Sequence, residues 1–452
     1  MMPFLYLMKQ TKKDIIVLGA GFKGMMAAFK LAQLGLKVTL IEGSKNYGGV
    51  LNSPAWDEMY IDLGCHLFFN QSQEVTEDIL YILGDAFRPV SVSYASKFMG
   101  EKTEGIAVPN FESLSEEEKR KTYDTLLNQS LPRKKVQTLS DYFINRFGDE
   151  VIEWIDQCLN KSHLVNSKDL DPIAKGLLPF KRIRLFPTEK AIELKKDEWY
   201  DDRIAVERKA NTLEIKRHRD LFEFYPLYEG MHFFCEKLYQ ILLDMGVEVN
   251  LNSPIDSIDY SDSIKLMSNG KKIEADRLFW GVPQHNLASF FNFDVDLTPY
   301  LHSIPIVLFY FTVNRNKVSR HTYIHNYDKK EFCFRVSIQS NYADNNIPKG
   351  TAVICCEVPT KIGSKIWDEP ENFIDIIWQE AIDLGVVKSK NFEKTRIMKT
   401  PSAYKLPLKG YTEKFKELSD HLDHEKILGI NSWEYSKNDI LININKEIKK
   451  LK

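Results

Sequence analysis

The chain has 452 residues, 43% hydrophobic and 27% charged, with 61 basic and 63 acidic side chains and a formal net charge of −2. This composition excludes a disordered or fibrous chain and leaves room for more than one domain. The near-zero charge gives no bulk electrostatic handle for nucleic acid or an anionic membrane surface. The six cysteines, Cys65, Cys158, Cys235, Cys333, Cys355 and Cys356, form no C-x-x-C pair and no Cys/His ligand spacing. That argues against a metal site or a disulfide framework and suits a reducing cytoplasm. The 27 Phe, 20 Tyr and 7 Trp either fill a large core or line a pocket.

The N-terminal "MMPFLYLMKQTKKD" places an apolar run before its lysines, the reverse of a signal peptide. Residues 1–12 read as an N-terminal extension, with Met8 a candidate start. No later stretch reaches the roughly eighteen unbroken apolar residues of a membrane span, and membrane association has no support. "DIIVL" then reads as a strand buried on both faces. "GAGFKG" follows with Gly19, Gly21 and Gly24 in the spacing G-x-G-x-x-G. Phe22, Met25, Met26, Phe29 and Ala32 fall at helical spacing up to a stop at Gly35, and "KVTLIE" is a second strand ending in Glu42. In such a unit Gly19 permits the tight turn, Gly21 lets the backbone approach a pyrophosphate, and Gly24 lets the helix pack on the strand. The helix N-terminus attracts phosphate charge. Glu42 stands where ribose hydroxyls would be bound and would repel a 2′-phosphate. Three readings remain at this point: a turn that binds nothing, a nicotinamide dinucleotide, or FAD.

The next residues, "GSKNYGGVLNSPAWDEMYIDLGCHLFF", carry a second glycine pair, Gly48 and Gly49, six positions past the acid, then Asp62, Gly64, His66 and Phe68 in a D-x-G-x-H-x-F pattern. Here the chain resembles the FAD enzymes of the amine oxidase, protoporphyrinogen oxidase and UDP-galactopyranose mutase superfamily. Phe69 stands where the mutase-type pattern often has a second histidine, and Val50 where many members have arginine. The resemblance implies FAD as cofactor, held by Gly19, Gly21, Gly24, Glu42, Gly48, Gly49 and Gly64. It also places His66 near the flavin in a positioning role; a core histidine is the other reading.

The resemblance continues in patches. Residues 138–172 look like the helical region of protoporphyrinogen-oxidase-like proteins, and Leu139, Phe143 and Phe147 suit an amphipathic helix stopped by Gly148. Leu114 to Asp124 is expected as an exposed helix. Tyr225, Pro226, Gly230 and Met231 match a Y-P-x-x-G-G-M-like turn, with Glu229 replacing a glycine. Phe234, Leu238, Ile241, Leu242 and Met245 then form one helical face before Gly246. Relatives bring the following strand beside the adenine, at Ile255 here. Asn269-Gly270 predicts a type I′ hairpin, and residues 276–283 a strand returning to the dinucleotide domain. Residues 332–359 resemble the substrate-domain sheet, with Arg335, Asn341 and Tyr342 as candidate substrate contacts or, equally, polar residues facing water. Near the C-terminus Gly429, Trp433, Tyr435, Asn438 and Asp439 fall where relatives contact the flavin, with Ile430 replacing an arginine; core packing explains Trp433 and Tyr435 as well. A diphosphate would need cations. Lys181, Arg182 and Arg184 form one basic run, Arg217 and Arg219 beside His218 another, and Arg335 is a third candidate; solvated charge is the alternative. No G-x-S-x-G elbow, H-E-x-x-H pair or P-loop lysine occurs.

The expected fold is α/β: a Rossmann-like FAD-binding domain of the two-dinucleotide-motif type, with an inserted substrate domain of antiparallel sheet plus helical cap. Residues 13–75, 220–290 and 400–452 are expected to build the FAD-binding domain, 76–219 the helical cap or substrate domain, and 291–399 the substrate-domain sheet. The expected function is an FAD-dependent oxidoreductase or mutase-like enzyme acting on a small molecule, a sugar or nucleotide sugar, with His66, Arg335 and Tyr342 as catalytic candidates. An oxidase of an amine or a bulky apolar, porphyrinogen-like substrate is the alternative, as is a flavin-binding protein that has lost catalysis.

Overall fold

The computed structural model describes residues 14–70, 72–176, 178–208, 223–430, 433–434 and 436–451. The N-terminal extension, the basic run around His218, and Tyr435 lie outside the described residues. The chain divides into two compact units. The first takes the residues up to Asn52, Phe234–Asp296, and those from Glu417 onward; the second takes Ser53–Phe233 and Leu297–Lys416.

The first unit is built on a parallel sheet. Its central strand, Asp14–Leu18, lies between Lys37–Ile41 and Arg277–Trp280, with Glu248–Asn250 and Ile427–Leu428 at the edges. Ile15, Ile16, Val17 and Leu18 are all buried, as a parallel strand covered on both faces requires. The helix Phe22–Gln33 follows, burying Phe22, Met25, Met26 and Phe29, and it packs against the helix Lys437–Lys449. The strands Ile264–Ser268 and Lys271–Ala275 form the expected hairpin: Asn269 and Gly270 have φ of 49° and 71°, the paired positive values of a type I′ turn. Phe234, Leu238 and Leu242 form the buried face of the helix Met231–Asp244. Met245, expected on that face, is 37% exposed, because the helix has already ended before Gly246 turns the chain with φ 78°.

The second unit centres on a seven-stranded sheet in the order Lys394–Pro407, Leu301–Asn314, Thr351–Pro359, Arg335–Ile338, Tyr323–Asn326, Tyr94–Phe98, Glu101–Glu104. Its ladders are antiparallel except that Tyr323–Asn326 runs parallel to Tyr94–Phe98. Successive side chains alternate between the two faces. Val307, Phe309, Phe311, Ile324, Val336, Ile354 and Cys356 point to one face, under Ile377, Trp378 and Ala381 of the helix Ile374–Asp383. Ile306, Leu308, Tyr310, Tyr327, Val353 and Cys355 point to the other and join the core of the helical cap. That cap contains the helices Glu116–Leu127, Leu139–Phe147 and Val151–His163. Thr138 and Asp141 close a capping box on the second, and Gly148 ends it. A smaller antiparallel sheet joins Phe68–Phe69, Glu223–Pro226 and Phe87–Val90.

These positions differ from the segments drawn by sequence. Tyr94–Phe98 and Glu101–Glu104 are strands of the large sheet, within the segment expected as helical cap or substrate domain, where the sequence pattern singles out only helices. The end of Lys394–Pro407 continues the same sheet, although residues from 400 onward read as FAD-binding. The hairpin Tyr94–Phe98 and Glu101–Glu104 joins the sheet through Tyr323–Asn326, and Lys394–Pro407 through Leu301–Asn314, distant pairings that local pattern does not encode. Among the described residues no helix is long and apolar enough to cross a membrane.

Candidate dinucleotide cradle and polar recess

In the first unit the two glycine loops meet. Gly19 has φ 87°, and its N–H donates to the Ile41 carbonyl at 2.7 Å. A side chain on Gly24 would place Cβ 1.7 Å from the Gly19 oxygen, so this glycine fixes how closely the helix sits on the strand. Gly48, with φ 89°, donates its N–H to the Ala20 carbonyl at 2.7 Å and bridges to Gly21. A Cβ on Gly49 would lie 3.3 Å from the Gly21 Cα. Gly21 differs from all of these. Its φ is −76°, which any residue adopts, and a Cβ there would find no atom within 4 Å. Nothing in the protein requires glycine at that point, and the open space lies at the N-terminus of the helix Phe22–Gln33. Glu42 is beside it, accepting the Ala20 N–H at 2.7 Å and the Ser44 N–H at 2.8 Å. The cradle fits a dinucleotide pyrophosphate, with N–H groups and a helix dipole to receive it.

The other residues expected around this cradle are placed as follows. Gly429 has φ 77° and no room for a side chain, since Cβ would fall 2.8 Å from the Phe279 ring. Its carbonyl accepts from Lys23 Nζ at 2.8 Å, and the same amine pairs with Glu434 at 2.9 Å. Ile430 is buried, and Trp433 is half-buried. Ile255 begins the strand Ile255–Asp259, half-buried opposite Ser268. Asp439 does not face a ligand: its carboxylate accepts from Ser436 Oγ at 2.8 Å and the Ser436 N–H at 3.1 Å, capping the last helix.

In the second unit the D-x-G-x-H segment is organised by Asp62. The carboxylate is fully buried and accepts from Ser53 Oγ at 2.5 Å, Tyr225 Oη at 2.6 Å and the Met231 N–H at 3.3 Å. Tyr310 Oη donates to the Asp62 carbonyl at 2.7 Å, and Gln339 Oε1 accepts its N–H at 3.2 Å. Gly230, with φ 64°, is required here because a Cβ would lie 2.7 Å from Ser53 Oγ. Two motifs far apart in sequence are thereby joined, and burial together with the Asp62 charge holds the Tyr225 phenol well above its ordinary range.

Beyond Asp62 the chain reaches the polar part of the cap-facing side of the large sheet, where Glu357 pairs with Leu308. His325, Arg335 and Glu357 are directly opposite one another on three adjacent strands, and Tyr94 and Tyr323 pair one row along. Arg335 grips Glu357 with both arms, Nε to Oε1 at 2.5 Å and Nη2 to Oε2 at 2.8 Å, and reaches Tyr404 Oη at 3.4 Å. Glu357 is 3% exposed at its side chain and Arg335 19%. Tyr94, Tyr323, His325 and Tyr404 are half-buried around this pair, and the accessible polar groups they leave beside a nearly buried carboxylate outline a recess. Burial lowers His325 to about 4, helped by the Arg335 charge. Burial also lowers His163, packed against Tyr404 and Phe334, to about 3. Both imidazoles are neutral near pH 7.

Several expected site residues take other parts. Gly64 has φ 93°, and its Cβ position lies 3.2 Å from both Arg335 Nη2 and Glu357 Oε1, so its missing side chain makes room for that ion pair. His66 is half-buried, with Nε2 3.2 Å from the Leu63 carbonyl. Tyr342 is fully buried edge-on against Tyr225, its rings 5.1 Å apart, and is walled off from the recess surface. Asn341 is occupied in joining loops, donating to the Ser319 carbonyl at 3.0 Å and accepting from Arg315 Nη1 at 2.7 Å. The first basic run is not a diphosphate clamp. Arg184 is buried between Glu112 at 2.8 Å and Glu207 at 3.0 Å, and Arg182 Nε donates to the Asp201 carbonyl at 2.7 Å. Sequence reasoning missed Glu357. Its signal was a lone acid inside the apolar run "VICCEVP", since a carboxylate there requires a buried partner.

The family model of the NAD(P)-binding Rossmann-like domain matches residues 17–81. The sequence has no match among curated proteins. Among solved structures, reduced UDP-galactopyranose mutase superposes with a TM-score of 0.72 at 16% identity, covering 97% of this chain and 95% of that one. A protein assigned as a protoporphyrinogen oxidase from Exiguobacterium sp. 255-15 gives 0.68 at 17%, covering 98% and 99%. Wild-type putrescine oxidase bound to putrescine gives 0.65 at 13%, covering 97% and 98%. Identities this low speak for the fold alone. The chain joins a Rossmann-like dinucleotide-binding domain to a mixed-sheet domain and shares that fold with these three structures.

Proposed function

We propose that the chain is an FAD-dependent enzyme, an oxidoreductase or mutase-like, acting on a sugar or nucleotide sugar. One observation carries the flavin part: the loop around Gly48 and Gly49 closes on Gly21, beside Glu42, around a space that no side chain fills. Gly19, Gly21, Gly24, Glu42, Gly48 and Gly49 would hold the dinucleotide, with Ile255, Gly429 and Trp433 as further contacts. FAD, when bound, supplies hydride acceptance or, reduced, a nucleophilic ring nitrogen. His66 and Arg335 are the residues of this chain proposed to position substrate. A cytoplasmic setting belongs to the same proposal and rests on the scattered cysteines.

The second reading, an oxidase of an amine or bulky apolar substrate, gains from the internal pairing of Arg184 and Arg335, which leaves fewer cations for a diphosphate.

The deciding measurement is the visible spectrum of the purified protein before and after acid denaturation. FAD released into the supernatant supports the proposal; a colourless protein that takes up no added FAD sinks it. UDP-sugar binding that depends on flavin reduction would then favour the mutase-like reading, and peroxide formed with an amine the oxidase. A flavin that dithionite reduces but no substrate turns over would mark a binding protein.

A further inference from the structure

We infer that the recess on the cap-facing side of the seven-stranded sheet binds an uncharged, hydroxyl-bearing ring and rejects phosphorylated ligands, with Tyr323, His325 and Tyr404 as its hydrogen-bonding groups and the Arg335–Glu357 pair as its charge-neutral wall. The inference rests on the flavoenzyme reading only in taking this recess as the substrate's place, and within that reading it selects the free sugar over the nucleotide sugar.

The charge of the wall is the argument. Arg335 is forked by Glu357 through two hydrogen bonds, at 2.5 and 2.8 Å. Arg208 lies over the Tyr94 ring at 6.0 Å and is itself forked by Glu223 through two bonds of 3.1 Å. Each of these two cations is matched by one carboxylate. His163 and His325 are neutral near pH 7, and burial keeps the Tyr323 phenol protonated. Among the described residues, a diphosphate entering this wall would lose its water and meet no surplus cation, and a buried unpaired charge is strongly disfavoured.

The wall is equipped for hydroxyl groups. His325 Nδ1 lies 2.9 Å from the Ala107 carbonyl and therefore carries the proton, which makes Nε2 an acceptor. Tyr404 Oη receives Arg335 Nη2, so its own hydrogen is left to donate. Flat surfaces flank these groups: Tyr94 stacks on Tyr323 with centroids 5.6 Å apart, and His325 on Phe334 at 5.2 Å. Rings and paired polar groups together suit the C–H face and hydroxyl edge of a sugar.

The test is calorimetric titration of the full chain with 4-nitrophenyl β-galactopyranoside as the neutral probe and UDP as the anionic one, with FAD content measured on the same sample. The wild type should bind the glycoside and not UDP. Tyr404→Phe and His325→Phe should each weaken glycoside binding about tenfold, and Glu357→Gln should raise UDP affinity about tenfold by releasing Arg335. UDP binding by the wild type that Arg335→Lys abolishes would overturn the inference, as would no glycoside binding, or glycoside binding indifferent to both Tyr404→Phe and His325→Phe. If Glu357→Gln fails to fold, those two variants decide alone. FAD uptake without glycoside binding defeats the inference and leaves the flavoenzyme reading standing; glycoside binding without FAD uptake does the reverse.

Discussion

Tyr225 donates its hydroxyl to the carboxylate of Asp62 at 2.6 Å, and neither side chain is accessible to solvent. The bond ties the D-x-G-x-H segment to the turn at Gly230, 163 positions apart in the chain for the two bonded residues. A hydrogen bond to a buried charge contributes about 1.5–3 kcal/mol, and its loss leaves the carboxylate with fewer donors. Tyr225→Phe should therefore lower stability by about 2 kcal/mol in urea denaturation. Asp62→Ala, which strips an acceptor from Ser53, Tyr225 and Met231 together, should cost more. A Tyr225→Phe protein as stable as the wild type would show that Asp62 is held by its other partners alone.

The cradle glycines separate packing from binding. At Gly21 a side chain meets open space at an ordinary φ, whereas at Gly24 it meets the Gly19 carbonyl at 1.7 Å. Gly21→Val should keep the thermal transition of the flavin-free protein within a degree or two. It should weaken FAD binding by about 100-fold, close to 2.7 kcal/mol. Gly24→Val should destabilise the flavin-free protein itself. Thermal melts of FAD-stripped protein, paired with fluorescence titration of FAD, read both effects; a Gly21→Val variant with unchanged FAD affinity would remove that glycine from the site.

What could be read from sequence was what is local. The strand Asp14–Leu18, the glycine turn and the helix Phe22–Gln33 follow one another without interruption, and each residue type there has its own steric reason. Asn269-Gly270 announces its hairpin because positive φ at two successive positions admits few residues. The strand Tyr94–Phe98 could not be placed in the large sheet from sequence, since the partner that ties it there, Tyr323–Asn326, lies more than two hundred residues away by number. Tyr342 and Tyr404 look alike in sequence. Only the fold sets one behind Tyr225 and leaves the other in the recess. Arg335 was read from sequence as a candidate cation, but its charge was misjudged, because the carboxylate that neutralises it sits on a neighbouring strand.

The buried histidines make stability fall in mild acid. His163 and His325 are lowered to about 3 and about 4 from an ordinary 6.5, both chiefly by burial. The unfolded chain takes up a proton at each near pH 6.5 while the folded chain does not, so the stability they permit is complete above about pH 7 and declines as pH falls toward 4. Each contributes a loss of about 1.4 kcal/mol per pH unit in that window, or about 2 kcal/mol by pH 5. His163→Gln should flatten the slope by about one proton in urea midpoints measured from pH 7.5 to 5. An unchanged slope would mean that His163 is protonated in the folded protein.

Arg335 and Glu357 should behave as one unit. Removing either charge strands the other in a recess where only 19% of the arginine side chain and 3% of the glutamate side chain reach solvent. Breaking a buried pair in this way costs about 3–5 kcal/mol, whereas replacing both partners with apolar groups is often close to neutral. Arg335→Met and Glu357→Leu should each be strongly destabilising alone, and the double variant should recover most of the loss, a coupling that urea denaturation of the four proteins measures directly. Gly64 lies against the same pair. Its Cβ position lies 3.2 Å from both partners and its φ is 93°. Gly64→Ala should thus be destabilising in the wild type from backbone strain and crowding together. Additive effects of Arg335→Met and Glu357→Leu would mean that the two charges are solvated separately in solution, and the neutral wall of the recess would then be lost as an explanation of what it binds.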